Sequence, residues 1–589
     1  MTVAFLDRGS RVARLSFVVS LLLARAGLPV ATAQPALPAF PLLVQNQAAL
    51  DTPPTVAKTA ASTAPAMKED QLARGKDLYL KNCFICHQIG GQGVPGVFPP
   101  LAKSDFLLTN KERSIRILCE GLTGEITVNG KKFAGAMPAV VLDDLQVADV
   151  LTYVFQTWGN TGDPITDEEV KAVRAKTSYP TFEKLQKANI YPPLPKPPEG
   201  FAIREVVRTP FQGVRMASDG RGRLIYVLVG NGDVWRLDPV AGHLRQILWA
   251  DRYLERRPGD MGGPLFVLGL ALDKENRLYI ASNQPNNATL PVQNIATIYR
   301  TTGRAGGDPA NPKPWFQTNY PGNSAYVHGL EHIAFGPDGF LYAGNGARTD
   351  ANQFSGGANY FEGGETPLTS SLWRLDPKVE NPAVEIFARG IRNAYGFCWN
   401  DKGEMFATEN GPDADAPEEL NLIERGKHYG FPYRFADWTK KAYGHTPDAP
   451  PGLEFTLPIA NVGPAGGYDG KPIYTFDPHS GPGGIVWLGD DFPEGYRGTL
   501  VLNRFGNFIR TPKDHVGYDV LQARLRKNAQ GIYEARIETL LAPLGRPIDV
   551  HLAGKGKIYI CEYSRATNNA SSYSLPGRIV ELAVKPGKN

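Results

Sequence analysis

The stretch "IAFGPDGFLYAGNG", Ile333–Gly346, consists of two short apolar runs on either side of the turn sequence Gly-Pro-Asp-Gly. Such a pattern predicts two antiparallel strands joined by a tight turn. Similar phrases, with aspartate or glycine at the turn, begin near residues 216, 270, 397, 485 and 550. Six copies, roughly 50 to 90 residues apart, predict an all-β six-bladed propeller over residues 201–589, because sandwich strands have no reason to repeat. The stretch "FAIREVV" from Phe201 is expected to pair with the last blade, which would protect its open edge.

The length and charge of the chain limit what else it contains. Its 589 residues exceed what one hydrophobic core usually organises, so a second domain is expected before the propeller. The formal net charge is only +4, and no run of lysine or arginine stands out. Nucleic acid is therefore not an expected partner.

The first 33 residues have the pattern of an export signal. Three arginines, Arg8, Arg11 and Arg14, precede the apolar run "LSFVVSLLLA", and an A-T-A triplet at 31–33 supplies a cleavage pattern. The run is too short to span a bilayer, and no later run reaches the roughly 18 apolar residues that a spanning helix needs. We expect a mature protein in the periplasm or secreted, without a transmembrane segment.

Two proline-rich stretches mark the boundaries of a smaller domain. Residues 34–68 are rich in Ala, Pro and Thr and predict a flexible tether, and residues 178–200, with "YPPLPKPPEG", predict a linker. Between them, residues 69–177 predict a small all-α domain. It opens with the amphipathic stretch "EDQLARGKDLYLKNC" and closes with the helical pattern of "DDLQVADVLTYVFQTWG". Asp143 and Gln146 have the spacing of a capping box at the start of that last helix.

The smaller domain contains "KNCFICHQIG", Lys81–Gly90, in which two cysteines and a histidine form a C-x-x-C-H motif. This motif attaches c-type haem, with Cys83 and Cys86 as the thioether positions and His87 as the proximal iron ligand. Met137 in "GAMPAVV" is the candidate second ligand. The carbonyl of Pro99 or Pro100 is expected to accept a hydrogen bond from the ring of His87.

Three further cysteines, Cys119, Cys398 and Cys561, lie outside the haem motif. Their number is odd and their spacing is irregular. A disulfide between Cys398 and Cys561 is one alternative, but buried unpaired thiols are the favoured interpretation.

Residues from about 70 to 175 resemble class I cytochromes c, particularly the cytochrome domains fused to periplasmic redox enzymes. The resemblance rests on "CFICH", "VFPPLAKSDF", "GEITVNGKKFAGAMP" and the last helix. It implies a haem c that passes single electrons to an external acceptor, which would be a soluble cytochrome, a cupredoxin or a respiratory chain.

Residues from about 200 to 580 resemble the soluble quinoprotein sugar dehydrogenases, a family of six-bladed propellers that carry pyrroloquinoline quinone (PQQ) and calcium and include sorbosone dehydrogenases. The resemblance rests on "HGLEHIAFGPDG", "ARGIRNAYGF", "ENGPDADAPEELNLIERGKHYGFP" and "GRPIDVHLAGKGKIYICE". It implies oxidation of an aldose or related sugar by hydride transfer to PQQ, with the electrons leaving through the haem.

The resemblance also implies roles for individual residues. The family's general base matches His328, ten residues before Asp338 of the G-P-D turn, and leaves His332 as a packing residue. The family's arginine–asparagine pair matches Arg392 and Asn393, and the arginine would stabilise negative charge that develops on the quinone.

The calcium site of the family matches the main-chain carbonyls of Gly411 and Pro412, and hard cations favour such oxygen ligands. Arg504 and Arg510 are candidates for binding the carboxylates of PQQ.

This chain departs from the family at one important position. The aspartate that orients the base is replaced by Ala347, so Asp350 or Glu331 would have to substitute for it. That departure favours an alternative in which a cofactor-free propeller is a docking or ligand-binding module for the cytochrome. A calcium-dependent lactonase is a further alternative. The long stretch Phe431–His479 is expected either to cover the site or to contact the cytochrome domain.

Overall fold

The computed structural model describes residues 64–586 with internal gaps. The gaps are 95–97, 124, 134–135, 138–139, 141, 177–191, 220–221, 255–265, 287–292, 304–306, 323–327, 352–363, 413, 415, 438–440, 445, 466–474, 507–515 and 565–576. The predicted signal segment 1–33 and Arg510 therefore lie outside the described residues. Within the described part, no helix combines the length and the apolar character that crossing a membrane requires.

The N-terminal domain is a small helical domain, as predicted. Its helices are α1 (Ala64–Asn82), α2 (Phe84–His87), α3 (Asp105–Thr109), α4 (Lys111–Glu120), α5 (Asp144–Gln156) and α6 (Asp167–Arg174). Two short antiparallel ribbons pair β1 (Leu122–Thr123) with β4 (Ala136–Met137) and β2 (Ile126–Val128) with β3 (Lys131–Phe133). Helix α1 begins inside the segment predicted as a tether, and α6 follows the helix predicted to be the last.

The predicted capping box is present at the start of α5. The Asp143 carboxylate accepts from the Gln146 backbone N–H at 2.8 Å, and the Gln146 side chain accepts from the Asp143 N–H at 3.0 Å. Helices α1 and α5 approach closely at Gly75, because a Cβ there would collide with the carbonyl oxygen of Asp149. Arg74 then forms a bidentate ion pair with the Asp149 carboxylate at 2.7 and 2.9 Å, so one glycine sets the helix spacing that this pair needs.

The remaining strands form six sheets, which are the six predicted blades; their strands pair antiparallel except β21, which pairs parallel with β26. Blades one to three consist of β6 (Gly213–Ser218), β7 (Ile225–Val229), β8 (Val234–Asp238) and β9 (His243–Leu248); β10 (Phe266–Leu272), β11 (Leu278–Asn286), β12 (Gln293–Thr302) and β13 (Ala310–Pro321); and β14 (Leu330–Phe335), β15 (Leu341–Asn345), β16 (Ser371–Leu375) and β17 (Glu385–Arg389). A 3-10 turn, Ala250–Arg252, follows β9.

Blades four to six complete the ring. They consist of β18 (Gly396–Trp399), β19 (Met405–Glu409), β20 (Glu418–Ile423) and β22 (Thr475–Phe476); β23 (Pro482–Leu488), β24 (Thr499–Arg504), β25 (Asp519–Lys527), β26 (Tyr533–Leu541) and β21 (Ala460–Asn461); and β27 (Arg546–Leu552), β28 (Lys557–Ser564), β29 (Arg578–Val584) and β5 (Phe201–Arg208). The stretch Phe431–His479 thus contributes strands to blades four and five.

The ring closes as the sequence predicts. Strand β5 pairs antiparallel with β29, from Phe201 opposite Val584 to Arg208 opposite Arg578. The N-terminal strand of the propeller therefore completes the last blade and covers the edge of β29.

The first strand of each blade lines the centre of the ring, where β6, β10, β14, β18, β23 and β27 contact their neighbours in that order. The fully buried Arg215 of β6 donates to Asp549 of β27 at 3.0 Å and to the Tyr395 carbonyl beside blade four at 2.8 Å. Because the blades repeat one meander, their first strands all begin at the same end of the ring. Segments that precede these strands are brought together there.

Candidate active site and haem-attachment site

The C-x-x-C-H motif lies on a single helical turn at the end of α1. Cys83 is the N-cap of α2, and the Cys86 backbone N–H donates to the Cys83 carbonyl at 3.3 Å. The ring Nδ1 of His87 is 3.0 Å from the carbonyl of Pro99, which identifies Pro99 as the expected acceptor. Burial lowers the pKa of His87 and favours the neutral imidazole that binds iron. Met137, on β4, packs against the same apolar core as Cys83.

The other three cysteines are free thiols, in agreement with the favoured interpretation. Cys119 and Cys561 are buried, and Cys398 is partly buried. Burial raises the pKa of the Cys119 thiol. These groups are therefore protonated packing residues near neutral pH.

His328 lies two residues before β14, at the end of the ring where the first strands begin. Its backbone N–H donates to the Ala347 carbonyl at 3.1 Å. About a quarter of its side chain is exposed (27%), but its Nε2 is buried and has no hydrogen-bond partner among the described residues. An imidazole nitrogen held in this way can accept a proton from a bound hydroxyl group.

The other ring nitrogen of His328 faces a buried amide and a buried carboxylate. Nδ1 is 3.1 Å from the side-chain amide of Asn393 and 3.5 Å from Oε1 of Glu331. With the Asn393 oxygen turned toward His328, that oxygen accepts from Nδ1–H and the amide nitrogen donates to the Glu331 carboxylate. This orientation gives His328 Nδ1, both ends of the Asn393 amide and the Glu331 carboxylate a partner.

Ala347 directly adjoins His328, as the alignment of motifs predicts. Its backbone N–H donates to the Arg392 carbonyl at 2.7 Å. Its side chain packs in a small apolar cluster that includes Ala351, Ala416 and Phe431. No carboxylate at position 347 can orient the base.

Arg392 is fixed beside this set. Its backbone N–H donates to Glu409 at 2.6 Å, and its guanidinium donates to the Asp350 carboxylate at 2.6 Å and to the Asn410 carbonyl at 3.2 Å. The Tyr443 hydroxyl donates to the second Asp350 oxygen at 2.5 Å. The stretch Phe431–His479 therefore packs against the Arg392 partner, and Asp350 holds Arg392 rather than His328.

Buried carboxylates on β19 and β20 flank the turn that joins these two strands. Gly411 donates its backbone N–H to Glu418 at 3.1 Å. Burial raises the pKa of Glu418 to about 8 and that of Glu419 to about 7. Burial and the neighbouring Glu419 raise the pKa of Glu409 as well. A bound cation beside these carboxyl groups would favour their ionised form and lower their pKa values.

The calcium prediction rests on backbone carbonyls, and the described residues contain no group of three or more His, Cys, Asp or Glu side chains suited to a metal. Gly411 is partly exposed and Pro412 is buried at the start of the carboxylate-rich turn. Asp413 and Asp415 of this turn lie outside the described part of the chain.

The arginine candidates differ in their surroundings. Arg504 is buried at the end of β24, where it forms ion pairs with Asp519 at 2.6 Å and Asp477 at 3.2 Å. Sequence reasoning missed Arg546, the first residue of β27, although the phrase "GRPIDV" contains it. Its side chain is fully buried between the rings of Phe505 and Tyr518.

The predicted haem turn contacts the propeller. The Phe84 ring, between the two motif cysteines, lies 5.6 Å from the ring of Phe266, centroid to centroid. Phe266 begins β10 and is paired with Asn283, whose side chain accepts from the Leu330 N–H at 2.7 Å and donates to the Leu330 carbonyl at 2.8 Å. Leu330 follows His328 by two residues, so short contacts link the haem turn to the candidate base.

The residues at the end of the ring that carries His328 fit the groups that the resemblance implies, which are PQQ, calcium and a sugar. PQQ is an anionic quinone with several carboxylates, and buried arginines such as Arg392 and Arg546 suit it. The Nε2 of His328, to which no described residue hydrogen-bonds, suits a substrate hydroxyl, and the carbonyl-bearing turn at Gly411 suits a hard cation. In the N-terminal domain, two thiols on one turn and a buried neutral histidine suit covalent haem.

Two family models match separate parts of the chain. Residues 72–158 match the model described as cytochrome c, and residues 273–562 match the model described as glucose/sorbosone dehydrogenase.

Curated relatives divide in the same way. Cytochrome c-552 of Thermus thermophilus is 40% identical over 118 residues, which cover 18% of this chain and 89% of the relative. The cytochrome c subunit of a quinone-dependent alcohol dehydrogenase from Gluconobacter oxydans is 36% identical over 17% of this chain and 21% of that subunit. Quinoprotein glucose dehydrogenase B of Acinetobacter calcoaceticus is 23% identical over 34% of this chain and 46% of its own length.

Solved structures similar to this chain include the PQQ-bound aldose sugar dehydrogenase of Streptomyces coelicolor, with 20% identity, a TM-score of 0.45, and coverage of 66% of this chain and 100% of that one. The PQQ domain of pyranose dehydrogenase from Coprinopsis cinerea has 14% identity, a TM-score of 0.43, and coverage of 67% and 98%. The curated relatives show that the chain belongs to the cytochrome c family in its N-terminal domain, and its propeller matches the glucose/sorbosone dehydrogenase model over residues 273–562.

Proposed function

We propose that this protein is an exported quinohaemoprotein that oxidises an aldose or a related sugar. The observation that carries the proposal is the Nε2 of His328, which has no hydrogen-bond partner in the described part of the chain and lies beside Arg392, in a chain that also carries a haem-attachment motif. The N-terminal signal pattern supports a location in the periplasm or outside the cell. Its partners are the sugar and an external one-electron acceptor, such as a soluble cytochrome, a cupredoxin or a respiratory chain.

In this proposal the protein binds, orients and moves a proton. His328 Nε2 takes the proton of the sugar hydroxyl and passes it to solvent. Arg392, held by Asp350, presents a fixed positive charge to the developing negative charge. The carbonyls of Gly411 and Pro412 would hold calcium. PQQ, when bound, accepts the two electrons of the sugar as a hydride equivalent, and haem c provides an outlet for single electrons to two equivalents of the acceptor.

The proposal is tested with purified protein that carries haem and is supplied with PQQ and calcium. We expect aldoses to reduce the haem, as followed by its absorbance. His328→Ala should abolish sugar-dependent reduction and leave the haem spectrum intact. His243→Ala removes an exposed histidine of β9, in blade one, and serves as the matched control. Retained activity in His328→Ala would refute the assignment of the base.

A second candidate function is favoured by Ala347, which removes the family's usual carboxylate from the base. In that case the propeller is a docking or ligand-binding module for the cytochrome. The same experiment separates the two functions, because bound PQQ without haem reduction by any sugar would support the docking module.

A further inference from the structure

The carboxylate missing at position 347 has a substitute in this structure. We infer that Glu331 is a positioning residue that fixes the tautomer of His328 through the amide of Asn393. The catalytic importance of this role rests on the proposed function. The hydrogen-bond arrangement itself involves only the side chains of His328, Asn393 and Glu331.

The backbone places Glu331 where this role requires it. Strand β14 pairs regularly with β15 from Ile333 onward, but its register shifts between Leu330 and Ile333. A bulge of this kind re-aims side chains and is frequent beside active sites. Here it places the Glu331 carboxylate 3.5 Å from His328 Nδ1.

Because Glu331 and Asn393 are buried, only one orientation of the Asn393 amide satisfies the hydrogen bonds of this set. Glu331 and Asn393 are 3% and 5% exposed, so neither can rely on solvent for hydrogen bonds. A carboxylate only accepts hydrogen bonds, so the Asn393 amide must turn its NH₂ group toward Glu331. Its oxygen then faces His328 at 3.1 Å and requires a proton on Nδ1. The lone pair is thereby left on Nε2, the nitrogen without a partner among the described residues.

The position after His328 supports the same geometry. Gly329 has φ of +51°, and a Cβ there would collide with the side-chain oxygen of Asn283. This glycine lets the chain turn sharply from His328 into β14. His328 and Glu331 can therefore face the same amide although only two residues separate them.

The first test measures the tautomer of His328 directly. In PQQ-free protein labelled with ¹⁵N-histidine, we expect the wild-type His328 signal to show a protonated Nδ1. The signal is assigned by its loss in His328→Ala. In Glu331→Gln the new side-chain amide lets Asn393 turn its NH₂ group toward Nδ1, so the proton should move to Nε2.

The second test measures turnover. Glu331→Gln should lower kcat by about 10²- to 10⁴-fold, the usual range for loss of a general base. Its PQQ affinity should stay near that of wild type. The double variant Glu331→Gln/Asn393→Asp exchanges the acid and the amide, and should restore the Nδ1–H tautomer and bring kcat to within about tenfold of wild type. PQQ affinity is measured in both variants, so that a cofactor-binding effect at Asn393 is recognised.

Asp338→Asn is the matched control. It also removes a carboxylate from blade three, but one at the β14–β15 turn that pairs with Arg374. In Asp338→Asn, the tautomer of His328 and the value of kcat should equal those of wild type. Glu331→Gln with an unchanged tautomer would overturn the inference, whether or not the variant is less stable. A shifted tautomer in a protein that oxidises no sugar would instead refute the proposed function and leave the positioning role in place.

Discussion

Glu418 is a buried carboxyl group whose ionisation should make the stability of the metal-free propeller depend on pH. Burial raises its pKa to about 8, above the value of 4.5 in an unfolded chain. Because the raised pKa favours the protonated folded form, its contribution to stability is complete below about pH 4.5 and is lost as the pH rises through about 8. We expect the unfolding free energy of the metal-free propeller to fall between pH 5 and 9, by on the order of 2–4 kcal/mol more in wild type than in Glu418→Gln.

The measurement is urea unfolding of the propeller at a series of pH values, in chelator and then in calcium. Calcium held at Gly411 and Pro412 would favour the ionised carboxylate, so it should reduce the loss at high pH in wild type and have less effect in the variant. Parallel pH profiles of wild type and Glu418→Gln in chelator would contradict the prediction.

At the level of single residues, the motifs predicted which residues lie at the site better than they predicted the groups that surround those residues. The positions of His328, Arg392 and Asn393 followed from short phrases, and the structure brings all three together. Asp350 and Glu331 were both predicted as possible partners of the base, but the choice between them could not be predicted, because it depends on a β-bulge at Glu331 and on an amide orientation. Arg546 was missed for a similar reason, since its burial against two rings is set by distant segments.

Strand β5 is held to the last blade by a buried ion network as well as by backbone pairing. Arg578 of β29 donates to Glu562 of β28 at 2.8 and 3.2 Å, and also to Glu205 of β5 at 3.3 Å. Glu562 is fully buried, and burial raises its pKa. Arg578→Ala would leave this carboxylate without its main partner and should destabilise the propeller by about 3–5 kcal/mol. Thermal or urea unfolding of the variant tests this expectation.

Two comparison variants test whether burial of the ion pair causes the loss of stability in Arg578→Ala. Arg578→Met combined with Glu562→Leu replaces the buried pair with apolar groups and should recover most of the stability. Arg526→Ala removes an ion pair with Glu534, where the arginine side chain is 68% exposed, and should cost about 0–1 kcal/mol. Equal losses for Arg526→Ala and Arg578→Ala would rule out burial as the source of the effect.

At the level of elements, the sequence predicted those with a local signal. The turn phrases identified the inner strands, "FAIREVV" identified the closing strand, and Asp143 with Gln146 identified the start of α5. The short strands β21 and β22 carry no such phrase and were missed. They pair with β26 and β20 across long stretches of chain, so their existence depends on tertiary contacts.

At the scale of the whole molecule, the contact between the Phe84 and Phe266 rings places the haem turn near the end of the ring that carries His328. No local pattern predicts this contact, because it joins two domains across a linker. Phe84 is 7% exposed, and Phe266 packs against the apolar core of the N-terminal domain. The pair is therefore a contact between the two domains, and we expect it to help hold them in this arrangement.

Phe266→Ala should weaken that arrangement without touching either site. An aromatic pair contributes about 0.5–1.5 kcal/mol beyond its buried area, so the equilibrium constant for docking should fall by roughly 2- to 12-fold. Hydrogen exchange at residues 83–88 should rise in the variant, even without PQQ. In the loaded protein, sugar-dependent haem reduction should slow by a similar factor, while sugar-dependent reduction of a small dye that takes electrons directly from the propeller should continue at the wild-type rate.

Phe340→Ala is the matched control, because it removes a ring that packs on Arg374 at the β14–β15 turn, away from the end that carries His328. It should change neither hydrogen exchange at residues 83–88 nor haem reduction. The comparison distinguishes docking from chemistry, since a loss of dye reduction in Phe266→Ala would mean that the substitution damages the catalytic end itself. Unchanged exchange and unchanged haem reduction in Phe266→Ala would show that the two rings do not hold the domains together.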